Sequence, residues 1–409
     1  MLALMVVSCL KKKAPGIPTE VQKSLNKSSI RKPDLMKVIL AFNRPEDSLK
    51  LQAAYFLIKN LENNYTLRMS LRDSSDTLID INPSEFKDYV SIKRHFDSIE
   101  MNSQKVSYKT DTILLDIENV NSEFIIKHIN NTYNTWQKST WDNKYNFNEF
   151  CDFILPYRVA NEDVGSYSNH FSEKYAHIIR RNLNIIETAI LINKEINNEI
   201  SRDDRLVVNP NAQLISTTEK NHTGSLRDIN IYKVTALRSI GIAAVMDYTP
   251  YFADSILGYY STTIILPNNK KLILSTSDNK QLDYPQGKVA KVYRRSHNYD
   301  PNSLFSIKEK EIHTPPFLGD YNYLDVTDEY IKTADVTVDF DDTSQFVYLA
   351  VFNENKWKPV EWSQVDNENK ASFKNMGTDV FYRLVVVSEE EILPIGHAFY
   401  LNSNGSKSR

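Results

Sequence analysis

Apolar positions along the chain keep a helical period through its first half and shift to short β-type runs at its end. Residues 33–62 and 121–137 read as helices. In Glu46-Asp47-Ser48-Leu49-Lys50-Leu51-Gln52-Ala53-Ala54-Tyr55-Phe56-Leu57-Ile58, acidic residues occupy the first turn, and Leu51, Ala54, Tyr55 and Ile58 share one face. In the second helix Phe124, Ile125, His128, Ile129 and Tyr133 form the stripe, and an apolar cluster over Phe150–Arg158 closes this region. A further helical pattern covers 172–200. After the polar link Asn209-Pro210-Asn211, residues 221–278 predict one helix and three strands. Ser225 and Asp228 make a Ser-x-x-Asp capping signature ahead of Ile229, Tyr232, Ala236, Leu237 and Ile240, and Gly241 takes the position just past the helix end. The strands fall at Ile242–Met246, near Tyr259–Leu266 and at Lys270–Ser275, with Asn268-Asn269 as the tight turn between the last two. Beyond residue 299, runs rich in Val, Tyr, Phe and Thr (Val336–Phe340, Phe346–Phe352, Val380–Val387) alternate with Asp, Asn and Gly clusters, as in a β-sandwich.

The expected class is therefore α+β, in four segments. Residues 1–20 are a leader and tether, 21–165 a mainly helical N-terminal domain, 166–298 an α+β core, and 299–409 a β-sandwich domain. A chain of 409 residues with 41% hydrophobic composition can fill more than one core. The formal net charge is −3 with interleaved signs, so no basic stripe points to nucleic acid. Two cysteines, Cys9 and Cys151, rule out a disulfide framework, and the eight histidines show no ligand spacing. No metal and no cofactor is expected. Cys151, inside the apolar cluster with no flanking base, reads as a small core residue.

Met1–Val7 is apolar, and Val6-Val7-Ser8-Cys9 resembles a bacterial lipobox, in which the cysteine is acylated after the leader is cleaved. The segment Lys11-Lys12-Lys13-Ala14-Pro15-Gly16 after it suits a tether. The alternative is an ordinary start followed by a buried free cysteine. The first alternative implies a bacterial cell-envelope protein, in the periplasm or at the outer membrane, that touches the membrane through its lipid only. No later stretch reaches the ~18 apolar residues of a membrane span.

Residues 221–278 carry a second resemblance. Gly224-Ser225-Leu226-Arg227-Asp228, Arg238-Ser239-Ile240-Gly241-Ile242, Asp247-Tyr248-Thr249-Pro250 and Gly258-Tyr259-Tyr260-Ser261-Thr262 are similar, in order and spacing, to the motifs of the transglutaminase-like superfamily, relatives of the papain-like cysteine proteases. Those motifs read Gly-x-Cys-x-Asp, Arg-x-x-Gly-Ile, Asp-Tyr/Phe-Thr-Pro and Gly-His-Ser-Trp-Asn. The likeness reaches the phrases around Leu49–Ile58, Ile154–Val159, Lys291–Arg294 and Asp325–Tyr330, and the segment with Trp357 and Trp362, so it spans most of the chain.

The resemblance implies a thiolate at a helix N-terminus, a histidine base on the next strand and a carboxylate that orients it. Leu226 stands at the cysteine position and Tyr259 at the histidine position. Leucine offers no nucleophile, and a phenol with a pKa near ~10 is a poor base at neutral pH. Asp278 is a candidate for the third position if Pro267 pairs with Lys270, and equally a turn aspartate. Ser225 is better explained as the helix cap than as a nucleophile served by His222. Around the cleft, Tyr248, Tyr251, Phe252, Tyr259 and Tyr260 join Ser225 and Leu226 as candidate ligand-binding residues, with strand packing as the competing role. The resulting expectation is a non-catalytic binding or scaffold pseudoenzyme for peptide or glycan. The alternatives are an active hydrolase or acyl transferase using unrecognised residues, and a structural partner of other envelope proteins through the sandwich.

Overall fold

A computed structural model describes residues 16–408, apart from 103–105, 140, 142–143, 256–257, 268, 276–286, 309–311, 321, 341–342 and 389–390. The chain opens with α1 (Thr19–Lys27), α2 (Lys32–Ala41) and α3 (Ser48–Asn60). Next come β1 (Tyr65–Arg72), α4 (Tyr89–Asn102), β2 (Ser107–Leu115), α5 (Asp116–Asn119), α6 (Ser122–Lys138) and α7 (Phe147–Phe153). Helices α8 (Ser168–Lys174), α9 (Ala176–Ile179) and α10 (Ile185–Glu199) lead to β3 (Ser201–Arg202), α11 (Ile215–Asn221), β4 (Thr223–Gly224) and α12 (Leu226–Ser239). Strands β5 (Ala244–Thr249), β6 (Tyr259–Ile265), β7 (Lys271–Leu274) and β8 (Tyr293–Arg295) follow, then α13 (Leu304–Ile307) and β9 (Tyr323–Asp325). The C-terminal strands are β10 (Thr333–Asp339), β11 (Phe346–Asn353), β12 (Lys356–Gln364), β13 (Lys370–Gly377), β14 (Val380–Val387), β15 (Ile392–Leu401) and β16 (Lys407–Ser408). The fold is mixed helix and sheet, with helices concentrated early and sheets late, consistent with the α+β expectation.

Two expected helices are broken, each for a local reason. The 33–62 pattern splits into α2 and α3 because Pro45 disfavours helical backbone at Arg44, which is extended at φ −121 and ψ 149. The 172–200 pattern stops at α9, passes through Asn182 at φ 51, and restarts where Asn184 and Glu187 form a capping box. The helix at 226 behaves as read. Ser225 and Asp228 form its capping box, and Gly241 at φ +86 closes it, with the Ile242 N–H reaching Leu237 O at 3.0 Å. The antiparallel pair of β1 and β2 within the N-terminal region has no counterpart in the sequence reading.

A single hydrophobic core runs from Val21 through Leu57, Ile129, Phe150, Ile192 and Tyr232 to Val245, Ile264 and Leu274. It crosses the 165/166 division, so the early helices and the later sheet share one interior. The central antiparallel sheet has the order β7-β6-β5-β8-β9, with α12 packed on β5 and β6. β9 lies beyond residue 298, so this sheet also crosses the second division. The C-terminal sheets are β10-β13 and β12-β11-β14-β15-β16. Val336, Phe373 and Met376 of the first meet Val347, Leu349 and Tyr382 of the second. The other face of the larger sheet buries Tyr348 and Val385 against Tyr293, Leu304 and Leu318 of the preceding core.

The β6–β7 register differs from expectation by one residue. Thr262 faces Leu274 and Ile264 faces Leu272, and the Leu266 N–H donates to Lys270 O at 2.7 Å. The connection therefore has three residues, with Asn269 left-handed at φ 63, rather than two. Pro267 does not pair with Lys270, which removes the premise that set Asp278 opposite Tyr259. Asp278 itself lies outside the described residues. β5 also starts and ends later than expected, so Asp247, Tyr248 and Thr249 belong to the strand.

Polar groups are buried at the joints. Arg238, at the end of α12, donates to Ala244 O at 2.8 Å, Arg158 O at 2.7 Å and Pro156 O at 3.2 Å. Asp247 accepts from Arg294 Nε at 2.8 Å and Nη2 at 2.7 Å, from Thr263 at 2.9 Å and from Tyr330 at 2.6 Å. His297 is 5% exposed, stacked on Phe56 and edge-on to Tyr157, and neither ring nitrogen has a hydrogen-bond partner among the described residues. Burial, and then the charges of Arg238 and Arg158, lower its pKa to about 3. Because the unfolded ring takes its proton near ~6.5, the folded state loses stability as pH falls below that value and keeps losing it down to about 3. Urea titrations at pH 7, 6 and 5 should show this loss. His297→Phe should remove up to about 1.4 kcal/mol per pH unit of its slope. An unchanged slope would mean that other groups control the acid sensitivity.

Candidate functional site

The N-terminus of α12 and the start of β6 meet over one side chain. Asn230, buried on α12, donates to Leu226 O at 2.8 Å and to Tyr260 O at 3.1 Å, and its own oxygen accepts from Thr262 at 2.7 Å. This amide clamps the first turn of the helix to the strand. Above the clamp lies a cavity of about 240 Å³. Leu226, 4% exposed, and Ser225 line it at the helix end, with Tyr260 and Gly258 on the β6 side. Gly258 is held to glycine because a Cβ there would lie 2.7 Å from Pro250 O and 2.8 Å from Thr249 O.

The sequence-derived candidates divide into two sets. Ser225, Leu226, Tyr251 and Tyr260 line the cavity together. Tyr248 is buried beneath it, its ring 6.0 Å from that of Tyr260 and 5.8 Å from that of Tyr293. Phe252 and Tyr259 are elsewhere. Their rings meet edge-on at 6.5 Å, in the cluster of Val289, Val292 and Val326. Strand alternation explains the split. Thr262 on β6 points to α12 and Thr263 points to Asp247 on the other face, so Tyr260 shares the helix side and Tyr259 does not. Cys9 lies outside the described residues.

The hydroxyl of Ser225 is fully engaged in the cap. It donates to Asp228 Oδ2 at 2.6 Å and accepts from the Asp228 N–H at 3.2 Å. The same carboxylate takes the Ser225 N–H at 3.0 Å and the Gln213 N–H at 2.9 Å. The carboxylate that accepts the serine proton is thus already shared with two backbone donors of the cap. His222 is exposed at the left-handed end of α11 and does not line the cavity. Burial, reinforced by Tyr260 and Glu354, pushes the Tyr251 phenol up to about 12, so it is a hydrogen-bond donor at neutral pH and not a base.

Several lining residues come from segments that the sequence reading did not connect with α12. Arg202 and Asp204 pair at 2.6 Å on one wall, and Arg227 is braced against Pro210 O at 2.9 Å and Asn209 O at 3.3 Å. Tyr89 on α4 and Glu354 in the β11–β12 turn lie on the far wall, their side chains 3.4 Å apart. The Nζ of Lys358 stands 5.4 Å from the Tyr251 ring centre and 3.8 Å from Glu354. Their sequence distance from 226 left no local pattern to detect. Two basic and two acidic side chains line the space, beside three tyrosines. Such a lining offers hydrogen bonds and ring faces to a ligand. Among the described residues, no group of His, Cys, Asp and Glu could hold a metal ion, and no helix is long and apolar enough to cross a membrane.

No family model matches the chain, and no curated protein matches it either.

Cys151 is buried on α7, away from this cavity, and burial pushes its thiol up to about 12. In a Cys9→Ala background, the native protein should therefore leave Ellman's reagent unreacted at pH 8 and release about one thiol per chain only after denaturation. Rapid native reaction would show a thiolate that this packing does not allow.

Proposed function

We propose that the chain is a transglutaminase-like protein without catalytic activity, whose former active cleft binds peptide or glycan at the bacterial envelope. One observation carries this reading. The side chain at the head of α12, where the family's chemistry needs a thiolate, is Leu226, and it lines a cavity that otherwise keeps polar and aromatic walls. A thiolate there would gain from the helix N-terminus. A leucine gains nothing, but it contributes an apolar contact to a bound ligand. Among the described lining residues there is neither cysteine nor histidine. The motif likeness supports the family, and the capped helix, the left-handed Gly241 and the buried Asp247 support the reading that these motif positions hold the fold. Acylation of Cys9 would tether the domain to a membrane through the basic segment Lys11–Lys13.

Leu226→Trp adds volume at a buried side chain that lines the cavity, so it should cost about 1–3 kcal/mol of stability and fill part of that space. A muramidase digest of peptidoglycan, which offers both peptide and glycan, should bind the wild-type protein in calorimetry and bind this variant at least tenfold more weakly. Binding that is equal in both, or absent from both at millimolar concentration, would remove the cavity from this account. The wild-type protein should also show no iodoacetamide-sensitive turnover of amide or acyl donors. In cells, a fatty-acid probe should label the wild-type protein and not Cys9→Ala. Equal labelling of the two would exclude the anchor.

A further inference from the structure

A second cavity, of about 390 Å³, opens between α1, α3 and α7 and shares no lining residue with the cavity at α12. Val21, Phe56 and Phe147 give it an apolar wall. Three charged side chains also line it: Glu20 in the first turn of α1, Lys59 in the last turn of α3, and Asp152 near the end of α7. The Asp152 carboxylate is aimed by a relay of two asparagines. Its Oδ1 accepts from Asn298 Nδ2 at 2.8 Å, and the Asn298 side-chain oxygen accepts in turn from Asn60 Nδ2 at 3.1 Å. Asn60 is buried, and the same nitrogen donates to Phe56 O at 3.0 Å, so the relay is anchored in α3. The second oxygen of Asp152 has no hydrogen-bond partner among the described residues.

The cation of this cavity is not paired with its anions. The Lys59 Nζ lies 5.4 Å from the Phe56 ring centre, and neither Lys59 nor Glu20 makes an ion pair among the described residues. Lys59 is near enough to oppose the rise that burial causes in the Asp152 pKa, yet no ion pair joins the two. Opposite charges that line one cavity without meeting suit a ligand that carries both. A lone cation would face Lys59, and a lone anion would face Asp152 and Glu20. An ammonium and a carboxylate on one small molecule satisfy both ends through charge-assisted hydrogen bonds. We propose that this cavity binds an α-amino acid with an apolar side chain, its ammonium on Asp152 and Glu20, its carboxylate on Lys59 and its side chain against Phe56 and Phe147. The asparagine relay fixes the carboxylate that receives the ammonium, so binding does not have to order it first. The site does not depend on the role proposed for the cavity at α12.

Calorimetry with L-phenylalanine, L-leucine and L-methionine tests this directly. At least one should bind with a Kd below a few millimolar. Its N-acetyl form, without the ammonium, and its carboxamide, without the carboxylate, should each bind at least tenfold more weakly. Lys59→Met removes a charge that has no ion-pair partner, so it should fold. It should weaken the amino acid at least tenfold and leave the carboxamide, which has no carboxylate to lose, as weak as before. Asp152→Asn should weaken the amino acid equally and leave the N-acetyl form as weak as before. If Asp152→Asn does not fold, Lys59→Met decides alone. No binding by any of the three amino acids, equal affinity for the free, acetylated and amidated forms, or binding untouched by Lys59→Met overturns the site. Leu226→Trp should leave the affinity unchanged. Loss of binding in that variant would assign the amino acid to the cavity at α12 and overturn the site as well.

Discussion

The carboxylate of Asp247 is the point on which the central sheet depends. It is fully buried on β5, yet it takes hydrogen bonds from β6 through Thr263, from β8 through Arg294, and from the segment after β9 through Tyr330. Arg294 in turn reaches Glu329 at 2.8 Å, and Glu329 pairs with Lys271 on β7. One charge thus connects four of the five strands on the face opposite α12. An isolated buried carboxylate would be intolerable, and so would the arginine without it, because each ion loses several kcal/mol of hydration. Together, with both carboxylate oxygens engaged, they fix which strands lie side by side. Hydrophobic packing alone would tolerate sliding. This network does not, because a shift of one residue would turn Asp247 or Thr263 to the wrong face.

The parts of the fold legible in the sequence were those set by local chemistry. The Ser225–Asp228 cap, the left-handed Gly241 and the strand runs of the C-terminal sheets each depend on a few consecutive residues. Pro45 and Asn184 were equally local signals, and both broke helices that apolar periodicity alone had joined. What could not be read was non-local. The β6–β7 register turned on whether a turn has two residues or three, and that one residue removed the argument for Asp278. The choice between Tyr259 and Tyr260 turned on which face of β6 meets α12, which Asn230 and Thr262 decide from different elements. The far wall of the cavity comes from α4 and the β11–β12 turn, and no spacing in the chain announces that meeting.

The positions that carried the resemblance have structural work independent of catalysis. Asp228 fills the cap and holds Gln213, Arg238 gathers three backbone carbonyls, and Asp247 joins the sheet. Each is buried, so replacing any one would strand a charge or open backbone groups in a dry interior. Leu226 and Tyr260 carry no such obligation through their side chains, since Asn230 grips their backbone carbonyls. A scaffold with this division of labour can change the side chains at those two positions without losing its shape.

The shared interior of the first 274 residues also sets the order in which the chain can become a protein. Val21, Leu35 and Leu57 share one cluster with Val245, Ile264 and Leu274, and the two ends of it are joined through α6 and α12. During synthesis, the first helices therefore emerge with apolar faces that α6 covers, while α6 itself waits for α12 and the sheet behind it. Long sequence separation between partners slows closure and lengthens exposure to aggregation. A polypeptide of this kind benefits from a holding chaperone while it is being made. A truncation that ends before β5 would leave the face of α12 that packs on β5 and β6 permanently open, and the cell would meet it as a substrate for proteolysis rather than as a smaller folded domain.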